Sequence, residues 1–174
     1  MEKEFIQQQI NDLYHLYNKD IFQYIYFLTC DREQSKDLMQ ETFLRAYKNY
    51  SSFQHENSKG WLFSIARNVT IDTMRRKKPI SYLLDTIPAI SSVYDTPDQI
   101  ASFNETEREL YVALGKIKRS YRDVIILRKI EEFSIQETSQ ILGWSESKIK
   151  SNLLRGLKAL KKELEKEVGH HEAI

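Results

Sequence analysis

The chain has 174 residues, 41% of them hydrophobic and 29% charged, with five glycines, three prolines and one cysteine. This composition supports a packed, helix-rich protein of one domain or two small ones, and excludes collagenous, disordered and turn-rich β architectures. The formal net charge of +1 averages opposites: residues 61–78 hold five Lys/Arg against one Asp/Glu, 116–129 and 144–162 each hold six against one, and 79–110 hold one against six. Clustered bases of this kind are the footprint expected of a polyanion-binding protein.

The N-terminus lacks the basic region and apolar run of a signal peptide, and no stretch reaches membrane-spanning length, so a cytoplasmic protein is expected. Apolar residues at Phe5, Ile6, Ile10, Leu13, Leu16, Tyr17, Ile21, Tyr24, Ile25 and Leu28 recur at three and four and predict a helix over 4–29, with 18–20 as a candidate interruption. Asp31 followed by Gln34 is a capping signal for a second helix reaching about residue 50. A polar loop, "SSFQHENSKG", precedes the helix "WLFSIARNVTIDTMRRKK" at 61–78, which Pro79 should stop. On that helix Leu62, Ile65, Ala66 and Val69 are expected to face the core. Phe63, Ile71 and Met74 are expected to surround Arg67 on a second, nucleic-acid side, with Ser64, Asn68 and Arg75 between them. Asp72 falls near the core stripe and should need a basic partner such as Arg76.

Residues 79–106 hold all three prolines and read as an acidic linker, although Ile80, Tyr82, Leu83, Leu84 and Ile87 are apolar enough to dock on something. Helical spacing returns near Asn104. In "FSIQETSQILGWSESKIKSNLLRGLKALKK", Ser134 with Glu137 forms a capping box, Gly143 ends that helix, and Ser145 caps another. The last helix has an apolar stripe at Ile149, Leu153, Leu157 and Leu160. Two short helices around a tight glycine turn, the second one basic, form the pattern of a helix-turn-helix DNA reader. A helical hairpin that only packs is the other reading of the same pattern. On the free side of the second helix lie Ser145, Glu146, Ser147, Lys148, Lys150, Ser151 and Arg155, whose side chains suit base edges and phosphates.

Catalytic and metal chemistry have no residues to carry them. The four histidines are scattered at 15, 55, 170 and 171, the acid pair Glu131 and Glu132 reads as a solvated helix end, and Cys30 alone permits neither a disulfide nor a cysteine zinc site. No enzyme activity, cofactor or small-molecule substrate is expected.

The block "YRDVIILRKIEEFSIQETSQILGWSESKIKSNLLRGLKALKK" resembles the fourth domain of bacterial RNA polymerase sigma factors. "DLMQETFLRAYKNYSSF" followed by "WLFSIARNVTIDTMRRKK" resembles their second domain. The two in this order, joined by a short linker, resemble the small extracytoplasmic-function (ECF) branch of the sigma-70 family. The resemblance implies an all-α chain with domain 2 over 1–78, a flexible linker over 79–106, domain 4 over 107–168 and a tail at 169–174. It implies that Asp37, Gln40, Glu41, Phe43 and Leu44 dock on the coiled coil of the polymerase largest subunit, with the flap as a further contact. For the minus-ten element it implies His55, Asn57, Ser58, Lys59 and Trp61 around a flipped base. Ser64, Arg67, Asn68, Arg75 and Arg76 would then follow the non-template strand. The minus-thirty-five element falls to residues 145–155, and an anti-sigma factor, membrane-bound in one form, is the implied regulator. A stand-alone helix-turn-helix regulator with an N-terminal sensing or dimerisation domain is the alternative. The chain departs from the family at "GKIKRSYRD", where a proline is common and Gly115 is expected to supply the break. It also departs at Glu146, Asn152 and Leu154 in the recognition helix.

Overall fold

The computed structural model describes residues 1–54, 56–77, 79–83 and 104–172, and every regular element among them is helical. The helices are α1 (Glu2–Thr29), α2 (Arg32–Asn49), α3 (Ser58–Lys77), α4 (Pro79–Leu83), α5 (Glu105–Lys116), α6 (Arg119–Ile125), α7 (Ile135–Leu142) and α8 (Glu146–Glu172). The backbone groups into two compact units, Met1–Pro79 with Gln140–Gly143, and Ile80–Ser139 with Trp144–Ile174.

In the first unit α1, α2 and α3 pack against one another in all three pairings. The stretch 18–20 does not interrupt α1, which runs unbroken for 28 residues; Asn18 bonds back to the Tyr14 carbonyl at 2.7 Å and stays within the helical path. From Ile21 to Thr29 nearly every residue is buried. Cys30 then ends α1 in the left-handed region at φ 54°, its N–H bonding to the Tyr26 carbonyl. One residue later Asp31 caps α2 by accepting from the Gln34 amide at 3.0 Å. Several buried hydroxyls of this unit are satisfied locally. Thr42 donates to the Leu38 carbonyl, Thr70 donates to the Ala66 carbonyl, and Thr29 pairs with Ser35. Buried polar groups without such partners would each cost about 1–3 kcal/mol.

In the second unit Asn104 and Glu107 form a reciprocal capping box that starts α5. The break after α5 does not fall at Gly115, which is helical, but at Ile117 and Lys118, both extended. Gly115 has a different task. The guanidinium of Arg122 is completely buried and donates to the Gly115 carbonyl at 3.1 Å, supplying the partner that a carbonyl in the last turn of a helix lacks. α6 passes into a π-helical turn, Ile126–Ile130, closed by the Glu131 amide bonding to the Ile126 carbonyl. Glu131 is only 9% exposed, so the solvated acid pair expected there is corrected to one buried and one exposed carboxylate. The core of this unit joins Ala113, Leu114, Ile117, Ile125 and Leu160.

α4 opens with Pro79 at its first position, where the missing N–H is tolerated. Ile80 and Leu83 are exposed, contrary to their expected docking, whereas Tyr82 is half-buried with the Arg119 guanidinium 4.3 Å from its ring centre. Leu84 and Ile87 lie outside the described residues.

Candidate polymerase and nucleic-acid interfaces

The first surface is a stripe on α2. Asp37, Gln40 and Leu44 are exposed and Glu41 half-exposed, and their spacing of three and four places them on one side of the helix. Tyr47 continues the stripe at 36% exposure, beyond the residues read from the motif. Leu44 is 47% exposed, a large apolar side chain among acids and amides. Phe43 points the other way. It is buried, with the Tyr14 ring edge-on at 5.0 Å, so it shapes the face from behind and does not form part of it.

The second surface begins before α3. His55 lies outside the described residues. The side chain of Asn57 accepts from the Gly60 amide at 2.9 Å and so caps the start of α3, and a Cβ at Gly60 would come within 2.7 Å of the Asn57 amide nitrogen. Ser58 and Lys59 are half-exposed, and the Lys59 ammonium lies 5.8 Å from the centre of the Phe63 ring. Trp61 stacks on Phe53 with ring centres 4.4 Å apart and planes 18° from parallel, and Tyr50 closes edge-on at 6.3 Å. Trp61 and Phe53 are both half-exposed, which leaves an aromatic ledge at the mouth of the loop. Phe53 was not legible as a site residue; it ends a Ser-rich turn eight positions from Trp61, and only the fold brings the rings together.

Along α3 the expected division of faces needs correction. Phe63, Ile71 and Met74 are all buried, Phe63 against Tyr24 at 5.2 Å, and so do not belong to a nucleic-acid side. With Leu62, Ala66, Val69, Thr70 and Thr73 they cover more than half of the helix circumference, because α3 packs against two helices at once. Arg67 sits on that side and is half-buried. The solvent stripe is narrower: Ser64, Asn68, Asp72 and Arg75, spaced three and four apart, with Arg76 beside it. Asp72 is thus exposed on this stripe and is not near the core. Arg76 donates to the Asp72 backbone carbonyl at 3.4 Å, so the expected bond to the carboxylate is replaced by one to the backbone.

The third surface is the amino end of α8. Ser134 and Glu137 form the full reciprocal capping box of α7, with bonds of 3.0 and 2.7 Å. Gly143 turns in the left-handed region at φ 66°, and Ser145 accepts from the Lys148 amide at 3.2 Å to cap α8. Ser145, Glu146, Ser147 and Lys148 are exposed, as are Lys150, Ser151 and Arg155. Behind them Ile149 is fully buried and Asn152 nearly so. The packing stripe does not run through Leu157, which is 38% exposed. It runs through Gly156, where α8 comes so close to α6 that a Cβ would stand 3.0 Å from Tyr121 Cβ and 3.1 Å from Ile125 Cδ1. Lys148 is held over the Trp144 ring at 4.1 Å, a contact that sets the start of the helix and that the sequence motif alone did not reveal.

Among the described residues no helix is long and apolar enough to cross a membrane, and no group of three or more His, Cys, Asp or Glu is placed to hold a metal ion.

Residues 13–80 match the sigma-70 region 2 family, and residues 107–160 match sigma-70 region 4. The chain is 41% identical over 159 residues to the ECF RNA polymerase sigma factor SigX of Bacillus subtilis, covering 88% of this chain and 82% of that protein. It is 31% identical over 153 residues to SigM of the same organism, covering 87% and 93%. Among solved structures, the sigma factor RpoE of Bartonella quintana, crystallised with the anti-sigma factor NepR, superposes with a TM-score of 0.74 at 26% identity, covering 91% of this chain and 98% of that one. The chain belongs to the extracytoplasmic-function sigma factors of the sigma-70 family, which are not enzymes and which act in transcription initiation.

Proposed function

We propose that this sigma factor uses its three surfaces for three separate contacts. The α2 stripe of Asp37, Gln40, Glu41 and Leu44 docks on the coiled coil of the polymerase largest subunit, with the flap taken by the second unit. The loop before α3 with the Trp61–Phe53 ledge, and the stripe from Ser64 to Arg76, take the unpaired minus-ten strand. The amino end of α8 reads the minus-thirty-five element as duplex. A single observation carries most weight: Ile149, Gly156 and Leu160 bury one side of α8 while Ser145 to Lys148, Lys150, Ser151 and Arg155 all stay in solvent. A helix that only packed would have no need to keep a polar, basic amino end clear of its own fold.

Regulation is proposed from the company of its relatives. RpoE is seen with NepR, and an anti-sigma factor, soluble or anchored to a membrane, is the partner expected to cover these surfaces in the cytoplasm. Run-off transcription with core polymerase tests the whole reading. Specific transcripts are expected from the reconstituted holoenzyme, and weak binding of duplex promoter by the sigma factor alone; no transcript at any promoter would sink the assignment of the three surfaces.

A further inference from the structure

The turn before α8 fixes one lysine in place ahead of any partner. Trp144 is bonded twice to Ser139 of α7: its amide donates to the Ser139 carbonyl at 3.3 Å, and the Ser139 hydroxyl donates to the Trp144 carbonyl. Its ring is half-exposed. The Lys148 ammonium rests over that ring, 4.1 Å from its centre, and the Lys148 amide donates to the Ser145 hydroxyl at 3.2 Å. Among the described residues no ion pair competes for the ammonium.

This placement runs against what the helix alone favours. The first turn of α8 is the positive end of the helix dipole, so a cation there is repelled and a solvated lysine would swing away. Helical side chains lean towards the amino end of their helix, and a ring four positions earlier catches Lys148 there by cation–π attraction. The ammonium is thereby held at the part of a recognition helix that reaches base edges. A flexible lysine loses rotamer freedom when a partner orders it; here Trp144 has already imposed that order.

The ring covers one side of the ammonium, and the N–H groups that point away from it can meet acceptors. An ammonium has donors only, so the base edge that suits it must offer acceptors without a donor beside them. In the major groove guanine shows O6 and N7 together. Adenine sets an amino group beside its N7, cytosine presents an amino group, and thymine offers a single O4 next to its methyl group. We propose that Lys148, positioned by Trp144, reads a guanine in the minus-thirty-five element. Lys148 is the specificity-determining residue and Trp144 the positioning residue. The inference rests on the proposed assignment of the amino end of α8 to that element.

The test measures binding of the reconstituted holoenzyme to promoter duplexes in which each base pair of the minus-thirty-five element is replaced in turn. A salt series is run for each variant, with circular dichroism confirming that it is folded. The wild type is expected to lose about tenfold when one particular G·C pair is replaced. Lys148→Met, which keeps an unbranched stem on the ring and removes the charge, should abolish that preference and leave those at other pairs intact. Trp144→Leu should reduce the preference about two- to fivefold, the worth of a cation–π contact at an exposed site, and Trp144→Phe, with a weaker ring face, should fall between it and the wild type. In a Lys148→Met background Trp144→Leu should have no further effect at that pair. A full wild-type preference in Trp144→Leu, beside a Lys148→Met that has lost it, would overturn the positioning role; if Trp144→Leu does not fold, the same result in Trp144→Phe decides the point. A Lys148→Met that weakens binding to all duplexes alike and lowers the salt slope by about 0.9 would put the ammonium on a phosphate and overturn the reading of guanine. An unchanged Lys148→Met would overturn it too. If the wild type itself is indifferent to every pair of the element, the assignment of α8 to that element fails.

Discussion

Gly156 and Gly169 occupy the same helix, α8, and put one physical question in two environments. Alanine at either position gains up to about 1 kcal/mol of helix propensity over glycine. At Gly156 that gain meets Tyr121 Cβ at 3.0 Å, an atom fixed to the backbone of α6 that cannot rotate away. Overpacking of this kind costs about 1–3 kcal/mol. Gly156→Ala is therefore expected to destabilise the second unit by about 1 kcal/mol, read as faster hydrogen exchange of amides in α6 and α8. A Cβ at Gly169 would meet nothing within 4 Å, so Gly169→Ala should stabilise by a few tenths of a kcal/mol, limited by fraying near the helix end. If both substitutions act alike, propensity and not the close approach governs the helix. Cys30 raises a related point about main-chain conformation: it is the left-handed residue at the end of α1, φ 54°, a position that glycine fills without steric cost.

Elements were legible in the sequence where a local signal had one physical meaning. Asp31, Ser134 and Ser145 all accept hydrogen bonds from the first turns of the helices they precede, because a side-chain oxygen at that position has a free amide to satisfy and little else to do; Asn104 does the same, though only the return of helical spacing was read there. Ser134→Ala is accordingly expected to cost about 1 kcal/mol, measured as loss of exchange protection within α7, whose eight residues give it few other internal bonds. Faces were harder to read. Periodicity assigns one apolar side to α3, but α3 packs against both α1 and α2, so Phe63, Ile71 and Met74 are buried on a flank that a single-sided helix would leave wet. On α8 the apolar spacing continued through Leu157, whereas the close approach was made by a residue without a side chain, Gly156, to which a hydrophobic count is blind. The α2 residues were named by resemblance to the family and not by their pattern; the structure adds that Asp37, Gln40, Glu41 and Leu44 share one side of the helix while Phe43 is buried on another. Glu41→Lys reverses the charge at one half-exposed position, cancelling that of Asp37 on the same stripe, and is expected to weaken core polymerase binding at least tenfold with the thermal midpoint little changed; unaltered affinity would remove α2 as the docking surface.

At the scale of the whole molecule the near-zero net charge is the sum of surfaces of opposite sign. An acid-rich stripe on α2 and basic surfaces on α3 and α8 coexist in one chain, each suited to a partner of opposite sign, and their sum says nothing about either. The consequence is a binding equilibrium whose salt dependence can be dissected surface by surface. Each phosphate neutralised on duplex DNA contributes about 0.9 to the slope of log affinity against log salt, and a base-edge contact contributes none. Lys150 and Arg155 are exposed on α8 beyond its first turn, on opposite flanks of the helix, where backbone and not base edges would be met on either side. Replacing both by glutamine in the holoenzyme is therefore expected to lower the slope for promoter duplex by about 2 and to weaken binding to matched and mismatched minus-thirty-five sequences alike. Core polymerase docking through the α2 stripe should be unchanged, since neither residue lies on it. A loss confined to one promoter sequence, with the slope intact, would move Lys150 and Arg155 from the phosphates to the bases and turn the recognition face of α8 by part of a turn.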